Sequence, residues 1–171
     1  TSGHVFACDA DPRRLSELPA RARRARASAI VEVAGAEPPG SLAGKADAVL
    51  VDAPCSGVGS LRREPDLRWR LSEERIRELP ALQLEILRRA SRFVRPGGRL
   101  VYATCSPLRL EDEKVVERFL AVEPEFAPAP LASTLDEPVA RQVDEGGFMR
   151  VWPDLHGGGA FFAALLFRSP A

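Results

Sequence analysis

Asp47-Ala-Val-Leu-Val-Asp52-Ala53, followed at once by Pro54-Cys55-Ser56-Gly57, is the stretch on which the fold turns. It is apolar through its middle, as a strand buried on both faces would be. It then breaks into a turn of small residues, which presents side chains to a cleft and not to a core. Working outward, His4–Asp9 (HVFACD) and Ala29–Ala34 (AIVEVA) read as two earlier strands and Arg99–Thr104 (RLVYAT) as a fourth. Helical patterns lie between them. Asp11-Pro12 has the form of an N-cap with proline in the first turn, and Pro19 should disturb the helix that begins there. Ser72–Arg95 is expected to be capped by Ser72, to carry Glu73 and Glu74 in its first turn, and to kink or restart at Pro80. Leu79, Leu82, Ile86, Ala90 and Phe93 form its expected apolar face, and Pro96-Gly97-Gly98 its stop. Glu111–Val122, with Val115, Val116, Phe119 and Leu120, is a second amphipathic helix. Phe148–Trp152 and Ala160–Phe167, separated by Pro153 and three glycines, are expected to pair as a terminal hairpin-like ladder.

Strand and helix alternating in this way imply an α/β fold, a mostly parallel sheet with helices on both sides, in one domain over residues 1–171. Ligands of such sheets bind outside the carboxyl ends of the strands. Cys8-Asp9, Asp52-Ala53-Pro54-Cys55 and Thr104-Cys105-Ser106 would fall there, so two carboxylates and two thiols would line one rim.

Composition removes several classes of function. Twenty-four basic residues balance 24 acidic ones, so neither a basic nucleic-acid coat nor an acidic tail is present. The charge is unevenly placed, however: residues 11–30 carry +4, residues 60–99 carry +5 and residues 111–150 carry −6. One end could face a polyanion and the other could not. The longest apolar run is eight residues, Ala160–Phe167, short of the roughly 20 that span a bilayer. No membrane association and no leader peptide are expected, and three cysteines are too few for a disulfide scaffold. A reduced, cytoplasmic location is the expectation. No 20–50-residue period repeats, which excludes solenoids and propellers. Thr1 at the start and Met149 as the only methionine suggest a cut chain.

Cys8, inside an apolar strand, reads as a small buried hydrophobe. Cys55 and Cys105 leave their strands into turns, where a thiolate nucleophile is the sharper reading. No metal is expected, because His4, Cys8, Cys55, Cys105 and His156 lack paired ligand spacing.

Asp52-Ala-Pro-Cys55-Ser-Gly-Val-Gly, continuing to Arg62-Arg-Glu-Pro-Asp66-Leu-Arg-Trp69-Arg, resembles the fourth motif of the RNA (cytosine-5) methyltransferases. Tyr102-Ala-Thr-Cys105-Ser resembles their sixth. Leu82-Gln83-x-x-Ile86-Leu87, Pro96-Gly-Gly-Arg-Leu-Val and Asp9 with Arg14-Leu15 also fit. The resemblance covers nearly the whole chain and is closest to the bacterial ribosomal RNA enzymes of the Sun/RsmB type, within the NOL/NOP/Sun family. It implies a Rossmann-like methyltransferase fold ending in an antiparallel strand, with S-adenosyl-L-methionine as cofactor and RNA, ribosomal RNA first, as partner. By the same resemblance Cys105 is the nucleophile and Cys55 assists proton loss and release of the adduct. Asp52 bonds the cytosine or cofactor edge, Asp9 binds the cofactor ribose, and Arg62, Arg63, Arg68 and Arg70 contact phosphates or the neighbours of a flipped nucleotide. In DNA cytosine-5 methyltransferases the Pro-Cys turn carries the nucleophile, which would reverse the two thiols.

The chain departs from the family pattern in three places. The Gly-rich first motif, the first strand and the N-terminal RNA-binding region should precede His4 and are missing, so an N-terminally truncated catalytic domain is expected, weak or inactive alone and prone to self-association. The full-length parent is expected to be a monomer. No Asp occupies Val33–Ala36, where an adenine-contacting acid belongs, and only Glu32 and Glu37 flank it. Gly159-Ala160-Phe161-Phe162 stands where an Asp-Gly-Phe-Phe signature belongs. Two other functions compete: a non-catalytic RNA-binding or assembly module that keeps the motifs as scaffold, and a methyltransferase acting on DNA or a small molecule.

Overall fold

The computed structural model describes residues 3–144 and 146–170. They form two compact units, Thr1–Ala43 and Gly44–Ala171. In the smaller unit, β1 (Val5–Cys8) pairs in parallel with β2 (Val31–Gly35), and α1 (Pro12–Arg24) connects them. Asp11 caps α1 as expected, accepting a 2.9 Å hydrogen bond from the Arg13 N–H. Pro19 does not end the helix, which continues to Arg24. Cys8 is exposed and not buried, because it ends the first strand of a two-stranded ladder instead of lying within a covered sheet.

The larger unit holds β3 (Ala46–Asp52), α2 (Glu73–Ser91), β4 (Val94–Thr104), α3 (Glu113–Val122), β5 (Phe126–Pro128), β6 (Met149–Val151) and β7 (Phe161–Arg168). The strand order is β3-β4-β7-β5, with β6 also on β7. The β3–β4 pair is parallel, and β7 enters antiparallel to β4 and to β6, which is the expected terminal ladder. β5, not anticipated from the sequence, pairs with the last residues of β7.

The core of this unit is built from Leu87 on α2, Val115, Val116 and Phe119 on α3, and Leu100, Tyr102, Phe162, Ala164 and Leu166 on the sheet. Both helices therefore cover the same sheet face. The alternation in β4 reflects this, with Leu100, Tyr102 and Thr104 buried between less buried neighbours.

Three local expectations are corrected. β3 is not buried on both faces: Leu50 is 68% exposed, since β3 ends the strand order and the helices cover one side only. The most buried positions of α2 are Pro80, Gln83, Leu87 and Ser91, one position on from the expected apolar series, of which Ile86 and Ala90 pack partly buried against the core while Leu82 is 45% exposed. That offset turns a glutamine towards the interior. Ser72 does cap α2, and the helix runs without interruption through Pro80. It ends at Ser91, however, and β4 begins at Val94, so Pro96-Gly97-Gly98 lies inside a strand whose register with β3 is irregular there.

Candidate active site

β3 and β4 run side by side in parallel and end together, with Asp52 paired to Ala103 and the Ala53 N–H bonded to the Ala103 carbonyl at 2.9 Å. Both strands then turn, and the turns bring Cys55 and Cys105, 50 residues apart in sequence, to an Sγ–Sγ separation of 3.1 Å. Both thiols are partly exposed. Either thiol can donate to the other at this distance; with Cys55 as donor the Cys105 pKa falls to about 7, against partial burial and the Asp52 charge, which push it up. The Cys55 pKa is driven far up, first by that same hydrogen bond and then by burial, because a second thiolate beside the first is disfavoured. The arrangement has the form of a thiolate with a thiol held against it.

The turns are joined from behind by a residue that no sequence motif singles out. Glu111, fully buried, accepts from the Ser56 N–H at 2.7 Å, the Ser56 hydroxyl at 2.6 Å and the Ser106 hydroxyl at 2.6 Å. Gln83 on α2 donates to it at 3.2 Å and to the Pro54 carbonyl at 2.9 Å. The Tyr102 hydroxyl donates to the Glu111 carbonyl at 2.6 Å. Glu111 and Asp112 read as acids opening a helix, but α3 starts at Glu113 and both side chains point inward. The signal in the sequence is the pairing of each cysteine with a following serine.

Asp112 accepts from the Thr104 hydroxyl at 2.7 Å. Burial pushes its pKa up to about 7, while that hydrogen bond and Arg150, 3.6 Å away, work in the other direction. Arg150 also pairs with Glu113 and, at 3.1 Å, with Asp144, and lies over the rings of Phe162 and Trp152.

The segment after Cys55 passes directly beneath the second turn. Gly59 donates to the Cys105 carbonyl at 3.0 Å and accepts from the Ala160 N–H at 2.9 Å. A Cβ at 59 would stand 2.7 Å from the Cys105 oxygen and closer still to that of Ala160, so only glycine fits. Position 159, where the family pattern has an acid, is equally confined, since a Cβ there would lie 2.9 Å from the Gly59 oxygen.

Of the remaining expected site residues, Asp52 sits at the end of β3, exposed, and its charge acts on Cys105. Arg62, Arg63, Arg68 and Arg70 are all exposed. Arg62 donates to the Gly157 carbonyl at 2.8 Å, Arg63 stands over Phe161, Arg68 over Trp69 at 4.7 Å, and Arg70 pairs with Asp66 at 3.0 Å. Asp9 belongs to the smaller unit, at the end of β1. One of its oxygens accepts from the Asp11 N–H at 2.8 Å and the other stands 3.6 Å from Arg14. Glu32 there contacts His4 at 3.0 Å. Among the described residues no group of three or more His, Cys, Asp or Glu side chains could hold a metal ion, and no helix is long and apolar enough to cross a membrane. A concavity of about 470 Å³ along α2, lined by Ala81, Leu84, Glu85, Arg88, Arg89 and Arg92, includes none of these residues.

Comparison with known proteins gives the same direction. A profile of the family described as 16S rRNA methyltransferase RsmB/F matches residues 1–167. Ribosomal RNA small subunit methyltransferase B of Yersinia pseudotuberculosis is 40% identical over 124 residues, 71% of this chain and 29% of its own length. The chain thus spans under a third of the curated relatives it matches. Among solved structures, PH0851 superposes with a TM-score of 0.81 at 39% identity, covering 96% of this chain and 37% of that one. NSun6 from Pyrococcus horikoshii with SFG superposes with a TM-score of 0.76 at 23% identity, covering 99% and 42%, which speaks for the fold alone. On the extent of the profile match and the identity to its relatives, the chain belongs to the 16S rRNA methyltransferase RsmB/F family.

Proposed function

We propose that the protein transfers a methyl group from S-adenosylmethionine to carbon 5 of cytosine in RNA, ribosomal RNA being the substrate species, through a covalent Cys105–cytosine adduct. The observation that carries this reading is the 3.1 Å contact between two thiols at the ends of adjacent parallel strands, which lowers the Cys105 pKa. Cytosine carbon 5 is a weak nucleophile while the ring is aromatic. Addition of the Cys105 thiolate to carbon 6 forms an S–C bond and moves the ring π electrons onto carbon 5 and the N3 side. Bound there, the cofactor would supply an electrophilic methyl to that carbon, its S–CH3 bond breaking to leave the neutral thioether. Cys55, kept protonated beside the thiolate, positions the base that removes the carbon 5 proton, or serves as that base once its own proton has passed on. The electrons of that C–H bond re-form the C5–C6 double bond, and Cys105 leaves carbon 6 as a thiolate.

Asp52, at the end of β3, hydrogen-bonds the cytosine or cofactor edge and compensates charge developing at N3. Asp9 fits the cofactor: a carboxylate at the carboxyl end of a parallel strand, its side chain 31% exposed, suits a ribose diol. Arg62, Arg63, Arg68 and Arg70 meet phosphates, and Trp69, 78% exposed beneath Arg68, lies on the same segment. The chemistry needs both thiols reduced, as the cytoplasm keeps them.

The test is to incubate a protein of the curated relatives' length that carries this chain with cytosine-containing ribosomal RNA and methyl-labelled cofactor, then digest the RNA to nucleosides. Label is expected in 5-methylcytidine, and none with Cys105→Ala. Label on another base, or undiminished transfer by Cys105→Ala, would contradict the proposal.

A further inference from the structure

We infer that Glu111 is a positioning residue that clamps the two cysteine turns into the geometry in which Cys55 donates to Cys105. The inference rests on the proposed roles of those two cysteines. Three features carry it. The first is symmetry of attachment: Glu111 takes a hydroxyl from Ser56 and one from Ser106, each the residue directly after a cysteine. The same two hydroxyls accept from Val58 and Leu108 N–H groups further along their own turns. Committing each hydroxyl proton to Glu111 leaves its oxygen free to order the turn that carries it.

The second is the nature of the partners. A fully buried carboxylate costs several kcal/mol to desolvate and is retained only when its oxygens are well supplied with donors. The donors here are neutral: two serine hydroxyls, one backbone N–H and the Gln83 amide. Gln83 extends the hold to the Pro54 carbonyl, so α2 is tied to the first turn as well. This accounts for the inward glutamine on an otherwise apolar helix face.

The third is the sign of its charge. Glu111 pushes the Cys105 pKa up, so it cannot serve the thiolate electrostatically. The lowering that Cys105 shows comes first from the Cys55 thiol, which depends on the two turns staying in contact. Glu111 therefore acts through geometry and against its own field.

The experiment is the pH dependence of iodoacetamide alkylation at Cys105, followed by peptide mass spectrometry, with circular dichroism to show that each variant is folded. In the unaltered protein the midpoint is expected near pH 7. Glu111→Gln, which presents an amide to donors, should move it towards the ordinary cysteine range and slow alkylation at pH 7 about tenfold or more, because thiolate falls from about half to about a few per cent. Glu111→Asp should restore part of the shift. A folded Glu111→Gln with an unmoved midpoint would overturn the clamp. If Glu111→Gln fails to fold, the doubly substituted Ser56→Ala, Ser106→Ala protein decides instead: a raised midpoint supports the clamp and an unmoved one refutes it. A protein alkylated with a midpoint near 7 that methylates no cytosine would break the proposed reaction while leaving the clamp intact, so the two failures are told apart.

Discussion

The two cysteine turns and the arginine segment from Leu61 to Arg70, which follows the first of them in the chain, are held by opposite means. The turns are fastened by buried hydrogen bonds that converge on Glu111, Gln83 and Asp112. The arginine segment contains the 3-10 turn Pro65–Trp69, and its charged side chains make surface contacts, such as Arg70 with Asp66 one turn away. Surface pairs of that kind contribute little to stability, whereas buried donors left without an acceptor cost about 1–3 kcal/mol each. The difference suits two tasks. Bond making at a ring carbon demands fixed sulfur positions. Contact with phosphates demands exposed cations held loosely enough to exchange partners.

The largest effect that would break this contrast is expected at the join between the two regions. Gly59→Ala places a methyl against the Cys105 and Ala160 carbonyls and should cost about 2–3 kcal/mol in denaturant unfolding, with loss of methyl transfer as the second turn is displaced. An alanine variant of unchanged stability would show that the close approach is not needed. A smaller, pH-dependent effect sharpens the buried side. The folded pKa of Asp112, about 7, lies above its unfolded value, so the folded state binds the extra proton and stability falls as pH rises from about 4 to about 7. Asp112→Asn should flatten that part of the stability profile, and a profile that keeps its slope would place the titration elsewhere. The smallest effect on folding is expected on the exposed side. Arg68→Ala with Arg70→Ala should change stability by less than about 0.5 kcal/mol. It should nonetheless weaken RNA binding and reduce the salt dependence by up to about 0.7 per lost phosphate contact on a log-log plot. A stability loss of several kcal/mol would make these arginines structural.

Much of the site is legible in the sequence because its signals are local. Pro54-Cys55-Ser56-Gly57 and Thr104-Cys105-Ser106 announce turns by composition, and Asp11 and Ser72 cap helices through their own side chains. The features that are not legible depend on partners distant in sequence. Gln83 occupies the inward face of α2 because Glu111 and Pro54 offer a polar destination, and Ser91 because its hydroxyl donates to the Arg88 carbonyl of its own helix; no periodicity of apolar residues reveals either. Glu111 and Asp112 look like ordinary acids at a helix start until the serines and Thr104 are brought beneath them. Exposure misleads in the opposite sense. Leu50 and Cys8 sit in apolar runs, yet a strand at the end of a sheet order, or in a two-stranded ladder, has less to cover it. Pro96-Gly97-Gly98 has the composition of a helix stop, but proline and glycine also fit where one strand shifts register against its neighbour.

The division of labour between the two sulfurs is tested most directly by trapping. Cys55→Ala should add Cys105 to cytosine and methylate it but fail to release it, leaving protein covalently attached to RNA after denaturing electrophoresis. Peptide mapping should then find the modified cytidine on the peptide containing Thr104-Cys105-Ser106, with no adduct from Cys105→Ala. An adduct that survives Cys105→Ala, or that maps to Cys55 in the unaltered protein, would contradict the assignment.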